Sequence, residues 1–195
     1  MIGSLRGRIT AKSPPQLTVE VGGLGYEIEA PMSTFFHLPA VGAEVHLLTH
    51  LVVREDAHVL YAFATGEERR LFRSLIKVSG VGPKIALALL SGISVSAFAE
   101  CVQREDVAAL TRVPGVGRKT AERLIVEMRD RVAAPPVAGG GAPDAGASAE
   151  SEAYGALVAL GYRPAEAARL LKAVGPGTHS TEELIRRALQ GAARE

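Results

Sequence analysis

The run Val78-Ser79-Gly80-Val81-Gly82-Pro83-Lys84-Ile85-Ala86 returns 35 residues later as Val113-Pro114-Gly115-Val116-Gly117-Arg118-Lys119-Thr120-Ala121. Each copy holds an apolar residue, a Gly-Val-Gly turn and a lysine two residues after the second glycine. Internal repeats come first in reading a sequence, because a missed repeat misassigns the whole fold. This repeat predicts two equivalent segments in the middle of the chain.

The residues of one copy predict a glycine turn that leads into a helix. Gly80 and Gly82 permit a positive φ and the close approach of another backbone. Pro83 suits the first position of a helix, and the apolar residues that follow recur at helical spacing. The first N–H groups of such a helix lack internal partners and carry the positive end of the helix dipole, so they suit an anion such as phosphate. Lys84 adds a positive charge beside them.

A predicted helix precedes each copy. The first carries an apolar stripe at Leu71, Phe72, Leu75 and Ile76, and the second is a short amphipathic run over residues 106–112. Helix, Gly-Val-Gly hairpin and helix, repeated once, resemble tandem helix-hairpin-helix motifs, a family whose hairpin amides bind DNA phosphates without reading sequence. The alternative is two ordinary tight turns between packed helices.

Other glycine-rich nucleotide sites do not fit this context. A dinucleotide fingerprint requires a third Gly or Ala and a preceding strand, whereas Ile85 and Thr120 occupy the third position here and helices precede. A nucleotide P-loop requires four residues between its glycines and then Lys-Ser/Thr, and the chain contains no such run.

Charge is distributed unevenly along the 195 residues, whose net charge is +1. Residues 1–64 carry four basic and six acidic side chains, and residues 65–132 carry twelve and eight. The positive segment is the one with the repeat, as a phosphate-binding module requires. No run approaches the ~18 apolar residues of a membrane span, and the N-terminus lacks the apolar core of a signal peptide, so we expect a cytoplasmic protein. We expect Cys101 to be a buried thiol with no catalytic role.

The first 64 residues predict β-strands, because apolar and polar residues alternate there. Residues 2–9 form one predicted strand, and Gly22-Gly23 predicts a hairpin turn between two others. The alternating apolar residues of the remaining strands are Leu17, Val19 and Val21; Tyr26, Ile28 and Ala30; Val45, Leu47, Leu51 and Val53; and Val59, Tyr61 and Phe63. Five short strands with glycine-rich turns predict a small closed barrel, either of OB type or a generic five-stranded one.

Two adjacent carboxylates, Glu55 and Asp56, fall between the last two predicted strands. Taken alone, they are typical of a solvated turn. His46 and His50 lie on one predicted strand face with His58 near them, but no carboxylate or cysteine completes a metal-ligand set at a recognised spacing, so no metal site is predicted.

Residues 133–150 are almost entirely Ala, Gly, Pro and Ser and predict a flexible linker. Residues 151–195 then predict three short helices: one that ends at Gly161, one opened by Pro164, and one opened by a capping box, Ser180-Thr181-Glu182-Glu183. A small helical module on a flexible tether favours docking over fixed packing, and the alternative is a stabilising subdomain.

Barrel, paired hairpins, linker and three-helix tail together resemble the RuvA family of bacterial Holliday-junction recognition proteins over the whole chain. The runs that carry the resemblance are residues 53–57, 80–84, 114–124 and 156–162. It implies an α+β multidomain protein: an OB-type barrel with an acidic pin (1–64), an all-α tandem helix-hairpin-helix domain (65–132), the linker (133–150) and a UBA-like three-helix domain (151–195).

The resemblance also implies a function, namely binding of four-way DNA junctions for branch migration in recombination and repair. It implies a four-fold symmetric tetramer, with two tetramers around one junction as the alternative, and a tail that recruits the hexameric ATPase RuvB; the RuvC resolvase is a further expected partner. The family's acidic pin falls on Glu55 and Asp56. No catalytic residue and no cofactor are expected. The expected phosphate-binding residues are Gly80, Gly82, Lys84, Gly115, Gly117, Arg118, Lys119 and Arg123, and the expected docking residues are Leu157, Leu160, Tyr162 and Leu170.

Two other classes of function stay open at this point. A helix-hairpin-helix glycosylase or lyase places a catalytic Asp shortly after the hairpin in a base-binding cleft. Here Asp130 follows between Arg129 and Arg131, and the chain has no Trp for base stacking. The second alternative is a scaffold that binds duplex DNA without preference for junctions.

Overall fold

The structure is a computed structural model that describes residues 1–133, 149–174 and 180–192. The chain divides into two units, Met1–Ala133 and Ala134–Glu195. The first contains the barrel and the repeated hairpins, and the second contains the three-helix tail. Most of the predicted linker, residues 134–148, lies outside the described residues, and its two ends are helical, because α6 runs to Ala133 and α7 begins at Ala149.

Five strands form a closed barrel in the order β1-β2-β3-β5-β4. Their bounds are β1 Ser4–Ser13, β2 Gln16–Val21, β3 Leu24–Glu29, β4 Glu44–Val53 and β5 His58–Phe63. Strands β3 and β5 pair in parallel, and the other pairs are antiparallel. The predicted five-stranded barrel is confirmed, and closure leaves it no free sheet edge.

The first strand is longer than the predicted residues 2–9, because it serves two neighbours. Its first half pairs with β4 and its second half with β2, with a register shift between Ile9 and Ala11. At Gly7 an added Cβ would lie 2.1 Å from the carbonyl oxygen of Glu20. A side chain does not fit where these strands cross, so glycine is required there by space.

A short helix that the sequence did not predict, α1 Met32–His37, lies between β3 and β4. Its Thr34 is fully buried, and the Thr34 hydroxyl donates to Glu68 Oε2 at 3.2 Å and accepts from the Ala64 N–H at 3.0 Å. The Met32 N–H donates to Ser91 Oγ at 3.0 Å. These bonds attach α1 to the helices that follow the barrel.

Five helices complete the first unit: α2 Gly66–Leu75, α3 Pro83–Gly92, α4 Val95–Gln103, α5 Val107–Thr111 and α6 Arg118–Ala133. The predicted run 106–112 is α5, capped by Asp106, whereas α4 was not predicted. Phe72 of α2 packs on Tyr61 and Phe63 of β5 with ring centroids 5.0 and 4.9 Å apart. Tyr61 and Phe63 thus belong to the apolar core of the helices, across the predicted boundary at residue 64, whereas the interior of the barrel forms a core of its own.

The described part of the second unit contains three helices, α7 Ala149–Ala159, α8 Pro164–Val174 and α9 Thr181–Ala192. Their shared core consists of Ala153, Leu157, Ala167, Leu170, Leu171, Leu184 and Ala188. Gly161 follows α7 with a φ of +101°, and the Ser180 hydroxyl caps α9 by accepting from the Glu183 N–H at 3.3 Å. In the described parts of the chain, no single helix has the length and apolar composition of a membrane span, although the bent pair α3 and α4 passes that test together.

Candidate nucleic-acid interface

The two glycine hairpins, residues 78–83 and 113–118, have the same backbone hydrogen bonds at the same positions of the repeat. The central valine donates to the apolar residue before the turn at 3.0 Å in both copies, and the helix alanine donates to the second glycine at 3.0 and 2.9 Å. The bonds are Val81 to Val78, Val116 to Val113, Ala86 to Gly82 and Ala121 to Gly117. The sequence repeat is therefore a structural repeat.

The two glycines of each hairpin have different roles. Gly80 and Gly115 both adopt a φ of +86°, a conformation that residues with a side chain disfavour. Gly82, by contrast, has a φ of −85°, and Gly117 likewise lies outside the left-handed region, so neither uses the positive φ that glycine permits. An added Cβ at Gly82 or Gly117 would meet nothing within 4 Å. The fold itself does not require glycine at these two positions. The missing side chain instead leaves room for a ligand to approach the backbone.

Helix α3 begins at Pro83, as predicted, with Gly82 as its N-cap and no side-chain hydrogen bond to cap it. The first N–H of α3 that donates within the helix turn is that of Ala86, which bonds to the Gly82 carbonyl. The N–H groups of Lys84 and Ile85 come before it and have no acceptor inside the helix. These N–H groups lie at the exposed start of the helix, where Gly82 has no side chain to cover them. This geometry suits an anionic oxygen.

The cations beside the hairpins are of two kinds. Lys84 and Lys119 are exposed and, in the part of the chain that the structure describes, have no carboxylate within 4 Å. Arg118 is also exposed, but its Nε lies 2.9 Å from Glu122 Oε1. The two lysines are therefore available to a ligand without breaking an ion pair.

Arg123 connects the two hairpins. Its Nη1 donates to the Ser79 carbonyl at 2.9 Å, and the same atom lies 3.6 Å from where a Cβ of Gly80 would be. In the opposite direction, Ile85 Cγ1 lies 3.8 Å from the corresponding point at Gly115. Each hairpin thus contacts the helix of the other copy. The predicted phosphate contact of Arg123 stays a prediction, and the structure adds that this side chain orients the hairpins.

Glu55 and Asp56, the acidic tip, are both exposed in the turn between β4 and β5. The Arg54 N–H donates to the Ala57 carbonyl at 2.9 Å and closes that turn. Among the described residues, neither carboxylate has a cation within 4 Å. Two unneutralised negative charges therefore project from a tight turn at one end of the barrel.

Contacts that the sequence did not reveal join the acidic tip's strand to the helix before the first hairpin. Arg73 of α2 donates from Nε to His50 Nδ1 at 3.3 Å and from Nη2 to the Thr49 carbonyl at 3.4 Å. The neighbouring Arg69 is buried and donates to the Gly3 carbonyl at 2.8 Å. These bonds hold strand β4 and the start of the chain against α2.

His50 lies against helix α2. Its ring packs edge-on against Phe72 with centroids 5.7 Å apart, and burial together with the nearby Arg73 and Arg69 charges lowers the pKa of the imidazole. His46 and His58 are exposed, and no group of three or more His, Cys, Asp or Glu among the described residues is placed to hold a metal ion. Cys101 is half-buried, and burial raises the pKa of its thiol, with Asp106 and Glu100 acting in the same direction.

The expected docking residues of the tail separate into two groups. Leu157 and Leu170 lie in the core of the second unit at 0% and 5% exposure, which contradicts their assignment to a contact surface. Three short helices need these side chains for their shared core. Leu160, by contrast, is 63% exposed after the end of α7, and Tyr162 is half-buried against the core. A groove of about 280 Å³, lined by Val174 and Arg187 among others, lies between α8 and α9 and was not predicted.

Three family models match the chain in the order of its elements. The RuvA N terminal domain matches residues 1–62, the SAM-like Helix-hairpin-helix tandem matches residues 72–130, and the RuvA C-terminal domain matches residues 148–193. The second match spans both hairpins, so the tandem helix-hairpin-helix interpretation is confirmed.

Curated relatives are similar over nearly the whole chain, and each carries the name Holliday junction branch migration complex subunit RuvA. The protein of Thioalkalivibrio sulfidiphilus is 58% identical over 97% of this chain and 98% of its own length. That of Methylococcus capsulatus is 55% identical over 100% of both chains, and that of Pseudomonas aeruginosa is 52% identical over 98% and 99%. From the three matched domains and these full-length similarities, the chain belongs to the RuvA family.

Proposed function

We propose that this protein binds four-way DNA junctions and recruits a hexameric ATPase, RuvB, that drives branch migration. The observation that carries the proposal is the presence, in one unit, of two equivalent bare-glycine hairpins and an exposed acidic tip. The names of the relatives support the same role. We further propose that the protein is a non-catalytic subunit that acts in the cytoplasm, with the ATPase site on the partner.

The hairpins supply the attraction to DNA. Each offers unpaired amides at a helix start, an open surface at the second glycine and a free lysine. Phosphate oxygens accept from such amides, and neutralising phosphates with lysine releases counterions. Because the contacts reach the backbone and not base edges, binding is independent of sequence. Two hairpins in one chain grip two phosphates at a fixed separation.

The acidic tip supplies the preference for junctions. We propose a four-fold symmetric tetramer, in which four tips bring eight carboxylates to the crossover of the four arms; two tetramers around one junction are an extension of the same arrangement. Negative charge at the centre repels phosphates, so it disfavours a continuous duplex and guides separated strands into the arms.

The three-helix tail supplies the docking of the ATPase. We propose that the exposed Leu160, the adjoining Tyr162 and the groove between α8 and α9 are the surfaces that receive it. Tyrosine is among the residue types that contribute most to binding energy at protein interfaces. The RuvC resolvase is a further proposed partner of the protein–junction complex.

The testing experiment measures the dissociation constants for a synthetic four-way junction and an equal-length duplex at one salt concentration. The double variant Glu55→Gln with Asp56→Asn keeps or raises junction affinity and raises duplex affinity more, so the preference for junctions falls. Two unit charges 4 Å apart in water interact by about 1 kcal/mol, which is about fivefold in affinity. The matched control is Glu20→Gln with Glu27→Gln, an equal charge change at exposed positions of β2 and β3.

The outcomes separate the alternatives. If the tip variant keeps the wild-type preference for junction over duplex, Glu55 and Asp56 are only a solvated turn. If the control variant changes that preference by the same amount, only the total charge of the protein matters. Equal wild-type affinity for junction and duplex supports the duplex scaffold. Strand cleavage of a damaged duplex supports the glycosylase or lyase alternative.

A further inference from the structure

The structural repeat extends one residue further toward the N-terminus than the glycine motif. Lys77 and Arg112 stand at the same 35-residue offset, each directly before the apolar residue of its hairpin. Their N–H groups both donate to the carbonyl three residues earlier, at 3.3 Å in each copy. The next N–H repeats the equivalence, with Val78 to Leu75 at 2.9 Å and Val113 to Leu110 at 3.2 Å. The backbone therefore presents Lys77 and Arg112 in equivalent positions.

The repeat duplicates two pairs of exposed cations beside the hairpins. Lys77 and Arg112 form one duplicated pair, and Lys84 and Lys119 form the other. All four are exposed, and in the described residues none of the four has a hydrogen-bond or carboxylate partner for its side chain.

Three cations of the second copy that lack a counterpart in the first are engaged with the protein itself. Arg118 pairs with Glu122, Arg123 donates to Ser79, and Arg129 Nη1 lies 3.2 Å from Glu105 Oε1. The first copy has Pro83, Ala88 and Ser94 at the corresponding places. Among the described residues, the pairs Lys77/Arg112 and Lys84/Lys119 are thus duplicated cations in which both side chains are exposed and unengaged.

We propose that Lys77 and Arg112 are a second symmetric pair of phosphate-binding cations, one beside each hairpin. This inference rests on the proposed function. Lys77 comes three residues before the first glycine of its hairpin and Lys84 two residues after the second, so cations flank the turn on both sides. The amides and Lys84 hold one phosphate, and Lys77 reaches a neighbouring phosphate of the same strand. Arg112 does the same at the second hairpin.

One other pair of cations has the same offset and does not share the property. Arg69 is buried and donates to the Gly3 carbonyl, whereas Arg104 is exposed and precedes α5. Arg69 holds α2 against the barrel and is not available to DNA. The 35-residue spacing alone therefore does not identify a phosphate-binding pair; both side chains must also be exposed and without a partner.

The test measures junction affinity as a function of salt for Lys77→Gln, Arg112→Gln and the double variant. Each phosphate contact contributes about 0.9 to the slope of log affinity against log salt. The proposed tetramer carries four copies of each cation, so a single variant that removes all four contacts lowers the slope by about 3.6. A fourfold rise in salt then costs that variant about 150-fold less affinity than it costs the wild type. The double variant lowers the slope by about twice as much.

The matched control is Arg70→Gln. Arg70 is an exposed cation on α2, seven residues before Lys77, which lies two residues beyond the end of that helix. The control removes the same charge away from the hairpin and leaves the slope unchanged. All variants are checked for wild-type melting temperature, so that a loss of fold is not read as a loss of contact.

The outcomes distinguish this inference from the proposed function. If the wild type binds junctions with a steep salt dependence but Lys77→Gln and Arg112→Gln behave like Arg70→Gln, the second cation pair is refuted and the junction role stands. If the wild type itself binds junctions without salt dependence, the proposed function fails, and this inference fails with it.

Discussion

Replacing each glycine of the first hairpin by serine separates the needs of the fold from the needs of the ligand. At Gly80, whose φ is +86°, any side chain forces an L-residue into the left-handed region. At Gly82, whose φ is −85° and ψ 171°, serine adopts the existing backbone and has open space around its Cβ. The two substitutions add the same atoms two residues apart, and we expect opposite effects on stability.

The magnitudes follow from these geometries. Gly80→Ser costs about 1–2 kcal/mol, the penalty for a non-glycine residue in the left-handed region. Gly82→Ser gains about 0.5–1 kcal/mol, because serine is a better N-cap than glycine and reduces the entropy of the unfolded chain. The new hydroxyl accepts from the amides at the start of α3 and occupies the open surface in front of them. Junction affinity therefore falls in both variants, although only Gly80→Ser is destabilised.

The assay combines thermal melting with a gel-shift titration of a four-way junction. For a unit of this size, 1 kcal/mol shifts the melting temperature by about 4 °C. Gly117→Ser and Gly115→Ser repeat the comparison in the second hairpin and serve as internal replicates, since Gly115 has the same φ of +86°. Wild-type DNA binding by a more stable Gly82→Ser variant would refute the amide site. Equal destabilisation of Gly80→Ser and Gly82→Ser would refute the assignment of their conformations.

Three further predictions concern the tail and the barrel. Removal of residues 151–195 leaves junction binding nearly intact and abolishes partner-driven branch migration, and migration by the truncated protein would contradict the docking role. In the tail itself, Leu157→Ala costs about 2–5 kcal/mol of stability because the side chain is fully buried. Leu160→Ala changes stability by less than about 0.5 kcal/mol but weakens ATPase binding. Calorimetry measures the stability of both variants, and a binding titration measures their affinity for the ATPase. Folding lowers the pKa of His50, so the folded state favours the neutral imidazole. The first unit therefore loses stability as pH falls through the ordinary histidine pKa toward the lowered one. The variant His50→Asn keeps an acceptor for Arg73 but does not titrate, so it flattens this decline in melts across pH 5 to 8; an unchanged slope would show that His50 is not its source.

Elements whose signal is local were predictable from the sequence. Alternation along β2, where Leu17 and Val19 are buried, identifies a strand with one face inside, and five such runs gave the barrel. The repeat gave both hairpins, and Pro83 gave the start of α3. Helices α1 and α4 were not delimited because their signals are weak. Helix α1 has six residues and no side-chain cap, and α4 is marked by the helical spacing of Cys101 from Ala97 and Phe98 and by Ser94, whose hydroxyl accepts from the Ala97 N–H.

Within the candidate site, the sequence by itself determined which residues belong to the hairpins, the acidic tip and the tail, because a repeat, a charge pair and a helical stripe are all local patterns. Only the tertiary structure decided how each residue is used. Gly80 takes a positive φ and Gly82 does not; Arg123 bonds to the other hairpin; Leu157 enters the core while Leu160 stays exposed. The physical reason is that burial and pairing depend on which neighbours the fold brings near, and residues such as Ser79 and Arg123, 44 positions apart, meet only once the chain has folded.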